Sequence, residues 1–270
     1  FSNISSNYFE KEKINEIDFK LLLKHLKREY KTNFFLLPDH FLSALKDGKF
    51  EKMSSVFEID PDMVLSVDSK WRSFQDYFDS IQSKYKKRVR KVLKDSSSLF
   101  IKKLSPNDIK ILIPKLQTLY NNVHQKSSFS GPSLDLYTYI SFAEHSEIEF
   151  ILYGYFYNEE IVAFSSEFFS GKDLYSYFIG LNYDYNKKYS LYNRILYDSI
   201  EHGIDKKATK IIYGRTASEF KSTIGAIPIK SKSAIYISNQ FLRLLLYPFV
   251  RNLSPKSWTR RNPYKAIENE

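Results

Sequence analysis

Cysteine is absent from the 270-residue chain. That excludes a disulfide framework, thiolate zinc sites and a cysteine nucleophile. Histidine is scarce: five residues lie scattered through the sequence, so no metal site is expected. Long apolar runs are missing too. The greasiest stretches, residues 33–37 and 241–250, are short or broken by charge. Neither approaches the roughly 20 residues of a membrane span. No basic segment followed by an apolar one opens the chain, so no secretory signal is read and a cytoplasmic setting is expected. Position 1 is Phe1 rather than Met, which reads as a chain cut from a longer one. No internal repeat and no Gly-, Ser- or Pro-rich linker divides it.

Basic residues number 41 and acidic ones 31, for a net charge of +10. Hydrophobics at 43% and charges at 27% are globular proportions. Aromatics reach 17%, with 22 Phe and 21 Tyr, which supplies ample apolar area for a core. Lysine dominates the basic residues, so part of the charge reads as genome-wide bias.

Hydrophobic spacing sets out the elements. Residues 1–68 read as an α/β piece. Ile17, Leu21, Leu22, His25 and Arg28 recur at helical spacing, and 33–37 reads as a strand. A helix at 42–46 and strands at 56–59 and 64–67, paired around Pro61-Asp62, follow. Ser73-Phe74-Gln75-Asp76 has capping-box spacing. The stripe Trp71, Phe74, Tyr77, Phe78, Ile81, Tyr85, Val89, Val92 then predicts one long helix ending near Ser96. Its other faces, from Lys84 to Lys94, hold the densest positive run. Beyond it come a strand at 99–104, a helix at 106–124 capped by Ser105, a turn at 129–131 and a helix at 134–143. Strands at 149–157, 160–170 and 172–181 follow, joined by hairpin turns. A helix at 191–202, capped by Ser190, stops at Gly203. Strand 210–213, helix 217–223, strand 228–237 and an amphipathic basic helix at 239–250 complete the chain. This order predicts an α/β (α+β) mixed sheet with helices on its faces. The strand–helix–strand unit from 174 to 213 should be a parallel crossover.

Three stretches carry a family resemblance. The first is the basic helix end, Ser83 to Lys91. The second is Tyr177-Phe178-Ile179-Gly180-Leu181-Asn182-Tyr183, then Tyr189-Ser190-Leu191-Tyr192, then Ile200-Glu201-His202-Gly203. The third is Tyr213-Gly214-Arg215-Thr216-Ala217-Ser218-Glu219-Phe220-Lys221 with Ile224-Gly225-Ala226. In order and spacing, over residues 71–237, they resemble the GNAT superfamily of acyltransferases, and within it the FemAB or BioF2-like acetyltransferase branch. The resemblance implies one complete GNAT-like lobe at 69–238 and a bacterial, cytoplasmic enzyme. A partial second lobe at 1–68 would precede that lobe, its front half lying before Phe1. A basic tail at 239–270 would follow.

The resemblance also implies acyl-CoA, with its pyrophosphate at the N-terminus of the helix that follows two splayed strands. Free N–H groups and the helix dipole face the anion there. The matching residues are Lys187, Lys188, Tyr189, Ser190 and Leu191. This loop lacks the superfamily's glycines, and it also reads as a polar loop before an ordinary capped helix. Catalytic candidates are Glu167, Tyr177 and Asp184, ionisable or polar groups on or near strands. Alternation puts Ile161, Ala163, Ser165, Glu167 and Phe169 on one face of their strand. Burial there would raise the Glu167 pKa toward that of a general base, whereas a solvated edge would pair it with a lysine. Arg215, at the carboxyl end of a strand, suits a carboxylate or phosphate, while Thr216 or Ser218 caps the next helix. Lys221 matches the branch's recurrent lysine and otherwise reads as a solvated one. Lys84 and Arg88 represent the positive run, which reads equally as a solvated face, a grip on an anionic substrate, or a contact with RNA or lipid headgroups. The tail helix 239–251 docks on the sheet, meets another subunit or lies on a membrane surface.

The expected function is N-acyl transfer from acyl-CoA, acetyl-CoA first among them, directly to an amine. The acceptor would be a polar or anionic small molecule or a cell-envelope precursor. One alternative is a FemAB-like aminoacyltransferase drawing on aminoacyl-tRNA. Another is a non-catalytic lobe that binds a ligand or partner.

Overall fold

The computed structural model describes residues 16–38, 54–127, 133–145, 147, 149–255 and 257–265. The helix expected at 42–46 and the turn at 129–131 lie outside them. Among the described residues the helices are α1 (Glu16–Tyr30), α2 (Phe74–Ser80), α3 (Ser83–Asp95), α4 (Pro106–Lys126), α5 (Thr138–Glu144), α6 (Tyr183–Tyr189), α7 (Leu191–Asp205), α8 (Ser218–Ser222) and α9 (Gln240–Arg251). The strands are β1 (Phe34–Pro38), β2 (Ser55–Ser66), β3 (Phe100–Lys103), β4 (Glu149–Tyr157), β5 (Glu160–Ser170), β6 (Asp173–Leu181), β7 (Lys210–Ile212) and β8 (Ile227–Ile237). They make a mixed α/β GNAT-like fold.

The chain divides into two units, each discontinuous in sequence: residues 1–2, 63–227 and 259–270 form one, and 3–62 with 228–258 the other. The segments drawn from the sequence, 1–68, 69–238 and 239–270, were each continuous.

In the larger unit, β3, β4, β5 and β6 run antiparallel in turn. β6 then lies parallel to β7, as the crossover predicts, and β7 pairs antiparallel with the end of β2 at Val64–Ser66. Alternate β4 residues feed two clusters, because successive side chains leave opposite faces of a strand. Phe150 and Leu152 join Ile109, Ile113, Leu116 and Leu119 of α4 and Tyr139 of α5. Tyr155 joins Leu191 and Ile195 of α7. Burying each such side chain contributes about 1.5–3 kcal/mol. Helix α4 starts where Ser105 and Asp108 cap each other: Ser105 Oγ accepts from Asp108 N–H at 3.1 Å, and Asp108 Oδ2 accepts from Ser105 N–H at 2.9 Å.

In the smaller unit, β1 pairs antiparallel with β8 from Phe34↔Ile237 to Pro38↔Ser233. Leu23 of α1 packs there with Phe35, Leu37 and Ala234.

Several expectations are corrected. The long helix is two, because the tail competes for its middle. Ile81 is extended and bridges Tyr264, and Gln82 N–H donates to Pro263 O at 2.8 Å. Strands 56–59 and 64–67 are one strand. Pro61, which has no N–H to give, sits before the β7 ladder begins at Val64. The second helix of the lobe begins at Thr138 rather than 134. Gly203 does not end α7. It lies inside the helix, where a Cβ would meet Ile211 Cδ1 at 2.7 Å, so it permits close approach to β7. A bulge in the β4–β5 pairing at Tyr155/Phe156 shifts Ile161 off the Glu167 face and into the cluster with Phe164.

Candidate active site

The strands β6 and β7 stay paired only from Asp173↔Lys210 to Tyr175↔Ile212. β6 runs on to Leu181, while the chain after β7 turns its hydrogen bonds to Met63. Tyr213 N–H donates to Met63 O at 2.9 Å, and Met63 N–H to Gly214 O at 3.0 Å. The result is an opening at the carboxyl ends of two parallel strands, where α/β sheets gather ligands.

Glu167 lies on β5, the strand beside β6, at the level where β6 and β7 part. Its β6 partner is Ser176, one residue past the last β6–β7 pair. The side chain is 1% exposed and points to α7, where Oε1 meets His202 Nδ1 at 3.0 Å. Among the described residues nothing hydrogen-bonds its Oε2. Burial raises the Glu167 pKa, against the lowering by His202. For His202 burial works downward, but the bond and charge of Glu167 outweigh it and the net direction is up. Tyr153 stacks on the imidazole with ring centroids 4.1 Å apart.

One helical turn earlier, Asp198 closes a second buried network. Its Oδ2 accepts from Tyr155 OH at 2.9 Å and its Oδ1 from Arg194 Nε at 2.6 Å. Arg194 Nη1 reaches Ser96 Oγ at 3.1 Å. Among the described residues no three His, Asp or Glu side chains gather to hold a metal.

The other predicted residues are placed as follows. Tyr177 packs edge-on to Phe168 beside the α4–α5 cluster, on the opposite face from Glu167, and burial raises its pKa. Asp184 is exposed in the first turn of α6, where its N–H is held by Asn182 Oδ1 at 3.0 Å. Thus Tyr177 and Asp184 do not join Glu167. Lys221 is 4% exposed rather than solvated, and its Nζ donates to Tyr213 O at 2.6 Å and Gly214 O at 3.4 Å. It secures the turn that opens the strands. Arg215 is half-buried directly after that turn. Neither Thr216 nor Ser218 caps α8. Ala217 occupies the cap in a left-handed conformation, and Ser218 Oγ donates back to Arg215 O. On α3, Lys84 is exposed and Arg88 half-exposed, and both approach the Tyr85 ring.

The expected phosphate loop 186–190 is not a loop. Asn182 caps α6, which carries Lys187 and Lys188 exposed in its last turn and Tyr189 buried at its end. Ser190 is left-handed at φ 52° and leads directly into buried Leu191. Its Oγ donates to Asp95 Oδ2 at 3.0 Å, and Asn186 Oδ1 already accepts from Tyr192 N–H at 2.9 Å. A diphosphate needs free N–H groups and positive potential at this helix end. Here one N–H is taken and a carboxylate stands close by, so the fit to CoA is incomplete.

The sequence matches the acetyltransferase (GNAT) domain family over residues 82–222, more than half the chain. The chain belongs to this family. It is a GNAT-type acyltransferase. Among solved structures, FemX is similar at 13% identity and TM-score 0.50, over 85% of this chain and 79% of that one. The C-terminal domain (DUF2156) of a putative lysylphosphatidylglycerol synthetase from Agrobacterium fabrum is similar at 12% identity and TM-score 0.51, over 87% and 78%. L-PGS from Bacillus licheniformis is similar at 10% and 0.52, over 87% and 79%. At these identities the likeness shows the GNAT fold alone. No curated protein matches the sequence.

His202, Asp198, Arg194 and Tyr155 were not singled out as site residues from the sequence. A signal for them existed. Arg194, Asp198 and His202 stand at i, i+4 and i+8 along the helix, so they share one face. Tyr153 and Tyr155 alternate on β4 toward that same helix.

Proposed function

We propose that the chain moves an acyl group directly from an activated donor to an amine in the opening between β6 and β7. The parting of those strands at Tyr175/Ile212, with buried Glu167 on the neighbouring strand at the same level, carries this reading. In the transfer the amine nitrogen attacks the acyl carbonyl carbon, and the tetrahedral intermediate collapses with loss of the donor's thiol or alcohol. The amine gives up a proton on the way. Glu167, its pKa raised by burial, is the acceptor for that proton, and His202 fixes the carboxylate. Holding the two reactants together supplies most of the acceleration. Without cysteine, no thioester on the protein intervenes.

The acceptor is a polar or anionic amine, a small molecule or a cell-envelope precursor, met by Arg215, Arg88 and Lys84. Lys221 shapes the opening instead, since its ammonium is spent on backbone carbonyls. The donor of this reading is acyl-CoA, with acetyl-CoA first, in a cytoplasmic setting. One observation favours a second donor, aminoacyl-tRNA. The first turn of α7 is already capped by Asn186 and neighboured by Asp95, and a donor whose anionic part is an RNA backbone does not need that helix end.

Thermal unfolding with acetyl-CoA, and separately with aminoacyl-tRNA, tests this. A ligand at about 100 times its Kd adds about 2.7 kcal/mol to the folded state. A raised Tm with one of them identifies the donor. No rise with either would overturn both donor readings.

A further inference from the structure

Residues 228–258, the part of the smaller unit that holds α9, carry five Lys or Arg and no Asp or Glu. Helix α9 lies inside this stretch. Asn239 starts it, Oδ1 accepting from Phe241 and Leu242 N–H at 2.9 and 3.2 Å, and Tyr247 is its buried anchor. The outward face is the unexpected part. Phe241, Leu244, Leu245 and Phe249 are 75%, 79%, 56% and 71% exposed. They stand at i, i+3, i+4 and i+8, one continuous stripe. A surface helix ordinarily turns such a stripe to the core and its polar side to water. Here the apolar stripe faces water, and Arg243 sits half-buried beside it.

We propose that α9 is a membrane-surface helix that seats this stripe in the headgroup boundary of an anionic lipid bilayer. Its 12 residues span about 18 Å, too short to cross a core of about 30 Å. Among the described residues no helix is long and apolar enough to cross. Lying in the interface is what an aromatic and leucine stripe with basic flanks does. Charge selects the partner. Thirty-one residues without a carboxylate have nothing to offer a basic protein surface. A second copy of the same helix would bring Arg243 and Arg251 against their like with no acid in the helix to offset them. An anionic leaflet supplies both the negative potential and the apolar layer. This inference stands apart from the acyl-transfer reading and is measured without any substrate.

The test is co-sedimentation of the full chain with vesicles of phosphatidylcholine alone, and of phosphatidylcholine with roughly one-third phosphatidylglycerol. The expected result is binding to the anionic vesicles, at least about tenfold weaker to the neutral ones, and weakened by salt. Phe241→Ser with Leu244→Ser should reduce binding by about tenfold or more, and Arg243→Gln by about fivefold. The serine sites are largely exposed, so the melting curve should hold. Should it fall, Leu245→Ser with Phe249→Ser makes the same test. Absence of binding to anionic vesicles overturns the proposal. So does binding that both serine pairs leave unchanged, or a dimer in solution that they dissolve without any vesicle binding.

Discussion

His202 Nδ1 lies 3.0 Å from Glu167 Oε1, tying the last turn of α7 to β5 at the level where β6 and β7 part. Both groups have raised pKa values, Glu167 by burial and His202 by the carboxylate that outweighs its burial. Both therefore bind protons more tightly folded than unfolded. The pair's stabilisation is fully present at low pH and fades as pH rises through the folded pKa of His202, above its usual 6.5. Wild type should exceed Glu167→Gln in Tm at about pH 6, and the gap should narrow by about pH 9. A gap that widens with pH would contradict the assignment.

Asp198 is the hub of the neighbouring network. Asp198→Asn keeps the shape but removes the charge opposite Arg194, which is about one-fifth exposed. A loss of about 2–3 kcal/mol in denaturant unfolding is expected, and about 1 kcal/mol for Tyr155→Phe. Equal small losses would mean the network is not coupled.

Gly180 allows β6 to meet α4. A Cβ there would run into Phe164 Cε1 and stand 2.7 Å from Leu119 Cβ. Gly180→Ala should cost about 1–3 kcal/mol in unfolding free energy, and a neutral result would show that the contact relaxes.

Asp95 bears on the donor. If a CoA diphosphate meets the first turn of α7, Asp95→Asn removes a nearby negative charge and should tighten acetyl-CoA binding roughly two- to fivefold by calorimetry. Unchanged binding would place the diphosphate away from that helix end.

Much of this was legible in the sequence. Ser105 before Pro106 announced α4, and the alternation of 149–181 announced the meander, because local caps and strand periods are written residue by residue. The break at Ile81 was not, since its cause, Tyr264, lies far along the chain. Glu167 was found by its strand face, but not its partner. The imidazole comes from α7, and only the crossover brings the two together. Residues 186–189 are helical rather than a loop because Asn182 caps the helix that holds them. Lys221 was open between ligand and solvent, and burial gave it a third role, holding two carbonyls.

The most direct measurement is hydrogen exchange of the β6 amides at 176–181, with and without acetyl-CoA or aminoacyl-tRNA. Past Tyr175 this strand is no longer paired with β7. Slowed exchange there with one of the donors is the predicted result. Donor binding that protects other segments and leaves 176–181 unchanged would contradict a site between β6 and β7.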